Sequence, residues 1–152
     1  KMNSKEWLEL QKKWYSEYPM YSIEDPMDQN QWSDWSMFTK ELGSKYQIVG
    51  DDLLVTNTKL IESSIKEKSM NAVLIKLNQI GTVTETLDAI RLTVDSGMNA
   101  VISHRSGESN DPFIADLVVG TPAQQSKFGG VNRGERLAKY NRLIEIENLL
   151  NI

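Results

Sequence analysis

Five short strand-like segments, each ending in a polar residue and separated by helix-length stretches, constrain this chain more than any other feature. They are Met20 to Ile23, Tyr46 to Val49, Ala72 to Ile75, Ala100 to Ser103 and a weaker fifth, Gln124 to Lys127. The polar residues that close them are Glu24, Asp51, Lys76, His104 and Lys127, at intervals of 27, 25, 28 and 23 residues. Each interval has room for one strand, one helix and two loops. Strands alternating with helices pair in parallel through right-handed crossovers, so the expected fold class is α/β. If the sheet is that of a βα-barrel, the carboxyl ends of all strands point to one rim, and the five side chains converge there.

The stretches between carry helical periodicity. Trp7, Leu10 and Trp14 mark a first helix, capped by Ser4 and stopped before Pro19. Asn30 is placed to cap a second, whose apolar line is Trp32, Trp35, Phe38 and Leu42, with Gly43 suited to a left-handed position at its end. Asn57 opens a third through Leu60, Ile61 and Ile65. Gly81 breaks the chain, and Thr82 with Glu85 forms a capping box before Val83, Leu87, Ile90 and Val94, closed by Gly97. Pro112 fits a first helical position ahead of Phe113, Ile114, Leu117 and Val118, and a closing helix runs from Arg133. The four tryptophans sit at helical spacing and are read as barrel packing, with no function.

Length limits this picture. A complete eight-stranded barrel takes about 250 residues, and this chain has 152, so the expectation is an incomplete TIM-type βα-barrel, about its last five strand-helix units. No linker or second domain is visible. With no cysteine, any metal must sit on oxygen or imidazole, and the composition is compatible with a reducing cytosol. Apolar runs of about five residues are far below the roughly 20 that span a bilayer, so no membrane span is expected. The chain opens Lys1-Met2 without the basic, apolar and small-residue regions of a secretory signal, and the start reads as cut rather than processed. A net charge of −4 with scattered lysines and arginines argues against nucleic acid as the main partner.

The rim residues suggest chemistry. Glu24-Asp25 and Asp51-Asp52 are each explained as loop carboxylates capping the next helix, yet two such pairs at equivalent positions would repel unless a cation lay between them. Oxygen ligands without cysteine favour Mg²⁺ over Zn²⁺. Lys76 follows an apolar run; burial there favours the neutral amine, the form that acts as a base, and the alternative is an ordinary salt bridge. Ser103 to Glu108 packs His104, Arg105, Ser106 and Gly107 into a strand-to-helix turn suited to gripping a phosphate or carboxylate, or only to capping a helix.

Together the segments Ser22 to Pro26 with Asp28-Gln29, Val49 to Leu53 with Val55-Thr56-Asn57, Lys76 to Gly81, Ser103 to Glu108 and Glu135 to Asn141 closely resemble the enolase family, phosphopyruvate hydratases, in the family's order and over nearly the whole chain. The resemblance implies a lyase that dehydrates 2-phosphoglycerate to phosphoenolpyruvate reversibly, in glycolysis and gluconeogenesis, as a cytoplasmic homodimer when full-length. It makes Glu24 and Asp51 two of three carboxylate ligands of Mg²⁺ and substrate contacts, and Lys76 the base beside the substrate carboxylate. It also makes His104 an active-site histidine, Arg105 with Ser106 the phosphate-binding pair, and Lys127 a contact to the carboxylate.

The family's third metal carboxylate, general acid and substrate-covering loops lie upstream of this chain, so the fragment alone is expected to be inactive. Around Lys127 the order Gln125-Ser126-Lys127-Phe128-Gly129-Gly130 lacks the family's usual apolar residue before the lysine and Thr-Gly after it, which weakens that role. Two alternatives stay open. One is a short, non-catalytic enolase-like binding or structural protein, and the other a related Mg²⁺-dependent lyase acting on another carboxylate.

Overall fold

A computed structural model describes residues 1–151. Helix α1 (Ser4–Glu17) precedes strand β1 (Ser22–Glu24); α2 (Trp32–Leu42) leads to β2 (Gln47–Gly50), and α3 (Thr58–Glu67) to β3 (Ala72–Ile75). A single turn, α4 (Leu77–Ile80), and α5 (Val83–Asp95) lead to β4 (Asn99–Ser103), α6 (Phe113–Val119) to β5 (Gln125–Lys127), and α7 (Gly134–Leu150) closes the chain. The strands form one sheet in chain order, every neighbouring pair parallel.

Alternation sorts the strand residues between two faces. Ile48, Val73, Ile75, Ala100 and Ile102 join helix residues Trp35, Phe38, Ile61, Ile90 and Ala115 in the main core. Val49, Ala72, Leu74 and Val101 form a separate small cluster on the opposite face. That second face is concave. In a flat sheet, β2 and β5 would lie about 14 Å apart at roughly 4.8 Å per strand, too far for side chains to meet. Gln47 and Gln125 nevertheless exchange amide hydrogen bonds of 3.0 Å each way, and Asn99 donates to Gln47 at 2.8 Å. The sheet is therefore a half-barrel, an incomplete TIM barrel with β1 and β5 as its edges.

Local sequence explains most helix boundaries, with some corrections. Asn3, not Ser4, caps α1 through a capping box with Glu6, and the Ser4 hydroxyl instead donates to Asp34 at 2.5 Å. The buried residues of α1 are Leu8, Gln11 and Tyr15, while Trp14 is exposed. Trp35 is fully buried as expected. Asn30 spends its side chain on Asp28, leaving Gln31 at the start of α2 with no side-chain cap. Gly43 has φ −67°, so the left-handed turn expected there is absent. Asn57 caps α3, Thr82 caps α5, and Gly81 and Gly97 take positive φ, all as the sequence implies. Pro112 lies one residue before α6 rather than within it. Helix α4 was not foreseen, because four residues are too few to show periodicity.

Candidate active site at the carboxyl ends of the strands

The half-barrel brings all five strand-end residues to one rim. In-register partners in a parallel sheet project to the same face, and β4 pairs with β5 at Ser103 and Lys127. Lys127 reaches across the concave face to Glu24, its Nζ lying 2.7 Å from both carboxylate oxygens. Beside it, Lys76 Nζ donates to Asp51 Oδ2 at 2.5 Å. The two pairs differ in setting: the side chains of Lys76 and Asp51 are 14% and 9% exposed, those of Lys127 and Glu24 43% and 32%.

Asp25, read from sequence as an ordinary loop carboxylate, has a specific task. Its Oδ1 accepts the backbone N–H of Asp51 at 2.8 Å and its Oδ2 that of Asp52 at 3.0 Å. Asp25 itself has φ 46°, a left-handed conformation that is uncommon for non-glycine residues but that Asp tolerates better than most. Burial is the main reason its carboxyl is raised above the ordinary carboxylate range, and the neighbouring Asp51 and Asp52 charges add to it. Neither Asp25 nor Asp52 caps a helix by a side-chain bond among the described residues.

Oxygens of Asp25, Asp51 and Asp52 lie within 4.8 Å of one another; Glu24, engaged with Lys127, is not in that group. Asp51 Oδ1 is buried without a hydrogen-bond partner. Leaving such an oxygen unpaired costs about 1–3 kcal/mol or more for a charged group. A hard divalent cation suits an all-oxygen donor set of this kind. The residues present therefore fit a metal, with Asp51 as the ligand whose free oxygen asks for one.

Lys76 is held from behind by the loop after β2. The Thr56 hydroxyl accepts the Lys76 backbone N–H at 2.9 Å and donates to Gln79 Oε1 at 2.9 Å. Thr56 is fully buried at φ 58°, following Val55 at φ 44°. Two consecutive β-branched residues in the left-handed region mark real strain, kept here by the surrounding bonds.

His104 extends the β4–β5 ladder by donating its backbone N–H to Lys127 at 2.9 Å, and its Nδ1 is buried without a partner. Burial, helped by the charges of Arg136 and Lys127, holds the imidazole below its ordinary pKa, so it is biased to the neutral form. The Arg105 guanidinium donates to Asn78 Oδ1 at 2.9 Å and borders a cavity of about 300 Å³ between α4 and α6. Ser106 follows on the exposed turn.

Sequence reasoning gave no role to Glu108, Arg136 or Lys139. The Glu108 carboxylate accepts backbone N–H groups of Arg105 at 3.1 Å and Ser109 at 2.9 Å. Burial pushes Glu108 up, but these bonds and the Lys139 ammonium outweigh it and hold the group below the ordinary range. The spacing Arg136-x-x-Lys139 beside apolar residues was the available signal, although it equally describes a solvated helix face.

Comparison with known proteins gives the family. The family described as the enolase C-terminal TIM barrel domain matches residues 1–151. Enolase 1 of Methylococcus capsulatus is 57% identical over 145 residues, covering 95% of this chain and 34% of that protein. The chain thus spans about a third of that relative's length. On both counts, it belongs to the enolase family, as part of the C-terminal TIM-barrel domain.

Proposed function

We infer that the protein carrying this chain is a phosphopyruvate hydratase, a lyase interconverting 2-phosphoglycerate and phosphoenolpyruvate with Mg²⁺. The observation that carries this reading is the Lys76–Asp51 pair: a largely buried amine at the rim beside a carboxylate whose second oxygen has no partner. The proton next to a carboxylate is very weakly acidic, so its removal requires a base within reach and positive charge around the developing enolate. Lys76, once it has given up the proton it shares with Asp51, takes the substrate proton at Nζ, held on the rim by Asp51 and by Thr56 behind it. A lysine base acting with Mg²⁺ is a known pattern of the enolase superfamily, and the assignment of Lys76 follows that pattern.

Glu24 and Asp51 are the residues assigned to hold Mg²⁺, with Asp25 fixing the backbone that presents Asp51. A bound Mg²⁺ supplies charge that stabilises the enolate oxygens. Lys127 contacts the substrate carboxylate, in exchange for Glu24. Arg105 and Ser106 bind the phosphate through charge-assisted bonds, and His104, biased to the neutral form, is the active-site histidine next to them in the chain. The same reading carries a homodimeric, cytoplasmic full-length protein of glycolysis and gluconeogenesis, whose partner is a small anion and not nucleic acid.

A second reading is a non-catalytic enolase-like binding protein. A scaffold has no use for an orphaned carboxylate oxygen beside a buried lysine. Assay of the full-length protein separates the two. Phosphoenolpyruvate formation that depends on Mg²⁺ is expected, and its absence with saturating Mg²⁺ contradicts the assignment.

A further inference from the structure

Helix α7 carries two buried cations that the reading above leaves unused. Arg136 is 6% and Lys139 1% exposed, and residues three apart share a helix face. Both are directed at the turn after β4. Arg136 Nη1 donates to the carbonyl of Arg105 at 2.8 Å and Nη2 to that of Ser106 at 3.1 Å. Lys139 Nζ donates to the carbonyl of Ser109 at 2.5 Å and lies 3.5 Å from Glu108 Oε1. Since Glu108 binds the N–H groups of Arg105 and Ser109, the turn is fastened through both its donors and its acceptors.

Packing joins His104 to the same helix face. Gly129 has φ +81°, and a Cβ there would lie 2.7 Å from His104 Cε1 and 3.1 Å from Arg136 Cδ. Imidazole, glycine backbone and arginine stem therefore stack without a gap. Tyr140, on α7, donates its hydroxyl to the Gly129 carbonyl and fixes that backbone.

A neutral donor can hold a carbonyl. Burying a cation to do so is costly, and the nearby carboxylates, Glu135 at 3.9 Å from Arg136 and Glu108 at 3.5 Å from Lys139, are too distant for close ion pairs that would use the whole charge. We propose that Arg136 and Lys139 are positioning residues for the anion-binding turn: they fix the backbone that presents Arg105 and Ser106, and place positive charge behind the phosphate. The proposal rests on the reading of that turn as the phosphate subsite. Around His104 the charged groups are Arg136 on α7, Lys127 on β5, Lys76 after β3 and Glu108 in the turn itself. Only Glu108 favours the imidazolium.

The test uses the full-length protein, with inorganic phosphate as the probe, Mg²⁺ binding by calorimetry as the control and His104 titration followed by NMR. Arg136→Gln is expected to weaken phosphate binding about 10-fold, the lower end for loss of a supporting contact, and to raise KM for 2-phosphoglycerate more than it lowers kcat. Mg²⁺ affinity should change less than about 2-fold on the same scale, and the His104 titration should move upward. Arg136→Lys, which keeps the charge but not the two-pronged geometry, should restore the His104 titration and only part of the phosphate affinity. It also serves if the Gln variant does not fold. Unchanged phosphate affinity, or equal loss of phosphate and Mg²⁺ affinity, overturns the proposal, as does a wild-type protein that binds no phosphate. A wild-type protein that binds phosphate but makes no phosphoenolpyruvate overturns the reaction assignment alone, and the phosphate and His104 measurements still decide the role of Arg136.

Discussion

The Asp51–Lys76 and Glu24–Lys127 pairs join the same chemical groups on the same rim, yet one joins neighbouring strands in a largely dry pocket and the other spans the half-barrel from edge to edge. In the first, little water shares the charge, so each partner depends on the other and the spare oxygen of Asp51 stays unsatisfied. In the second, solvent screens both partners, so Glu24 and Lys127 are free to exchange one another for other ligands. Burial thus divides the site into a poised centre and an adaptable flank.

Breaking each pair sharpens that contrast. Asp51→Ala leaves the Lys76 ammonium largely buried without its counter-charge, and loss of one member of a buried pair costs about 3–5 kcal/mol. Equilibrium urea unfolding of the full-length protein should show it. Asp25→Ala frees the backbone that presents Asp51 and should weaken Mg²⁺ binding about 10- to 100-fold, as loss of a supporting contact to a ligand does. Asp25→Asn should recover part of that affinity in calorimetry. Glu24→Gln breaks only the screened pair and should change stability by less than about 1 kcal/mol. A loss as large as that of Asp51→Ala would erase the distinction between the pairs.

The smallest effect is pH dependence. His104 is held below its ordinary value, so the unfolded chain binds a proton more readily than the folded one. Its contribution is fully present above about pH 6.5, the unperturbed value, and is lost as pH falls through the folded value. Asp25 has the opposite sign: raised when folded, it favours folding below about pH 3.9 and loses that contribution as pH rises through its folded value. Stability followed against pH in His104→Gln should flatten below about pH 6.5 relative to wild type. An unchanged profile there counts against the buried imidazole.

Much of the rim is legible in the amino-acid sequence. Short apolar runs bounded by charge can serve a parallel sheet, and intervals of 23 to 28 residues put one polar residue at the end of each strand. Helix ends were less secure where two candidates competed. Asn3 with Glu6 three residues on is a better capping box than Ser4 offers, while Asn30 preferred Asp28. Trp14 has the spacing of a packing residue, yet it lies at the edge of the face that Leu8, Gln11 and Tyr15 bury. The supports of the site were hidden for a different reason. Asp25, Arg136 and Lys139 act on backbone groups far along the chain, and no local pattern tells a buried ion that holds a loop from a solvated one. Only the contacts between the β1 and β2 ends, and between α7 and the turn after β4, assign them.

The central claim is that Lys76 moves the proton at the second carbon of the substrate. Exchange of that proton for deuterium in 2-phosphoglycerate, followed by NMR with Mg²⁺ and the full-length protein in D₂O, tests it without requiring the later loss of water. Wild type should exchange readily, and Lys76→Ala should slow exchange by about 10²- to 10⁴-fold, the usual contribution of a positioned base. Exchange at the wild-type rate in Lys76→Ala would contradict it.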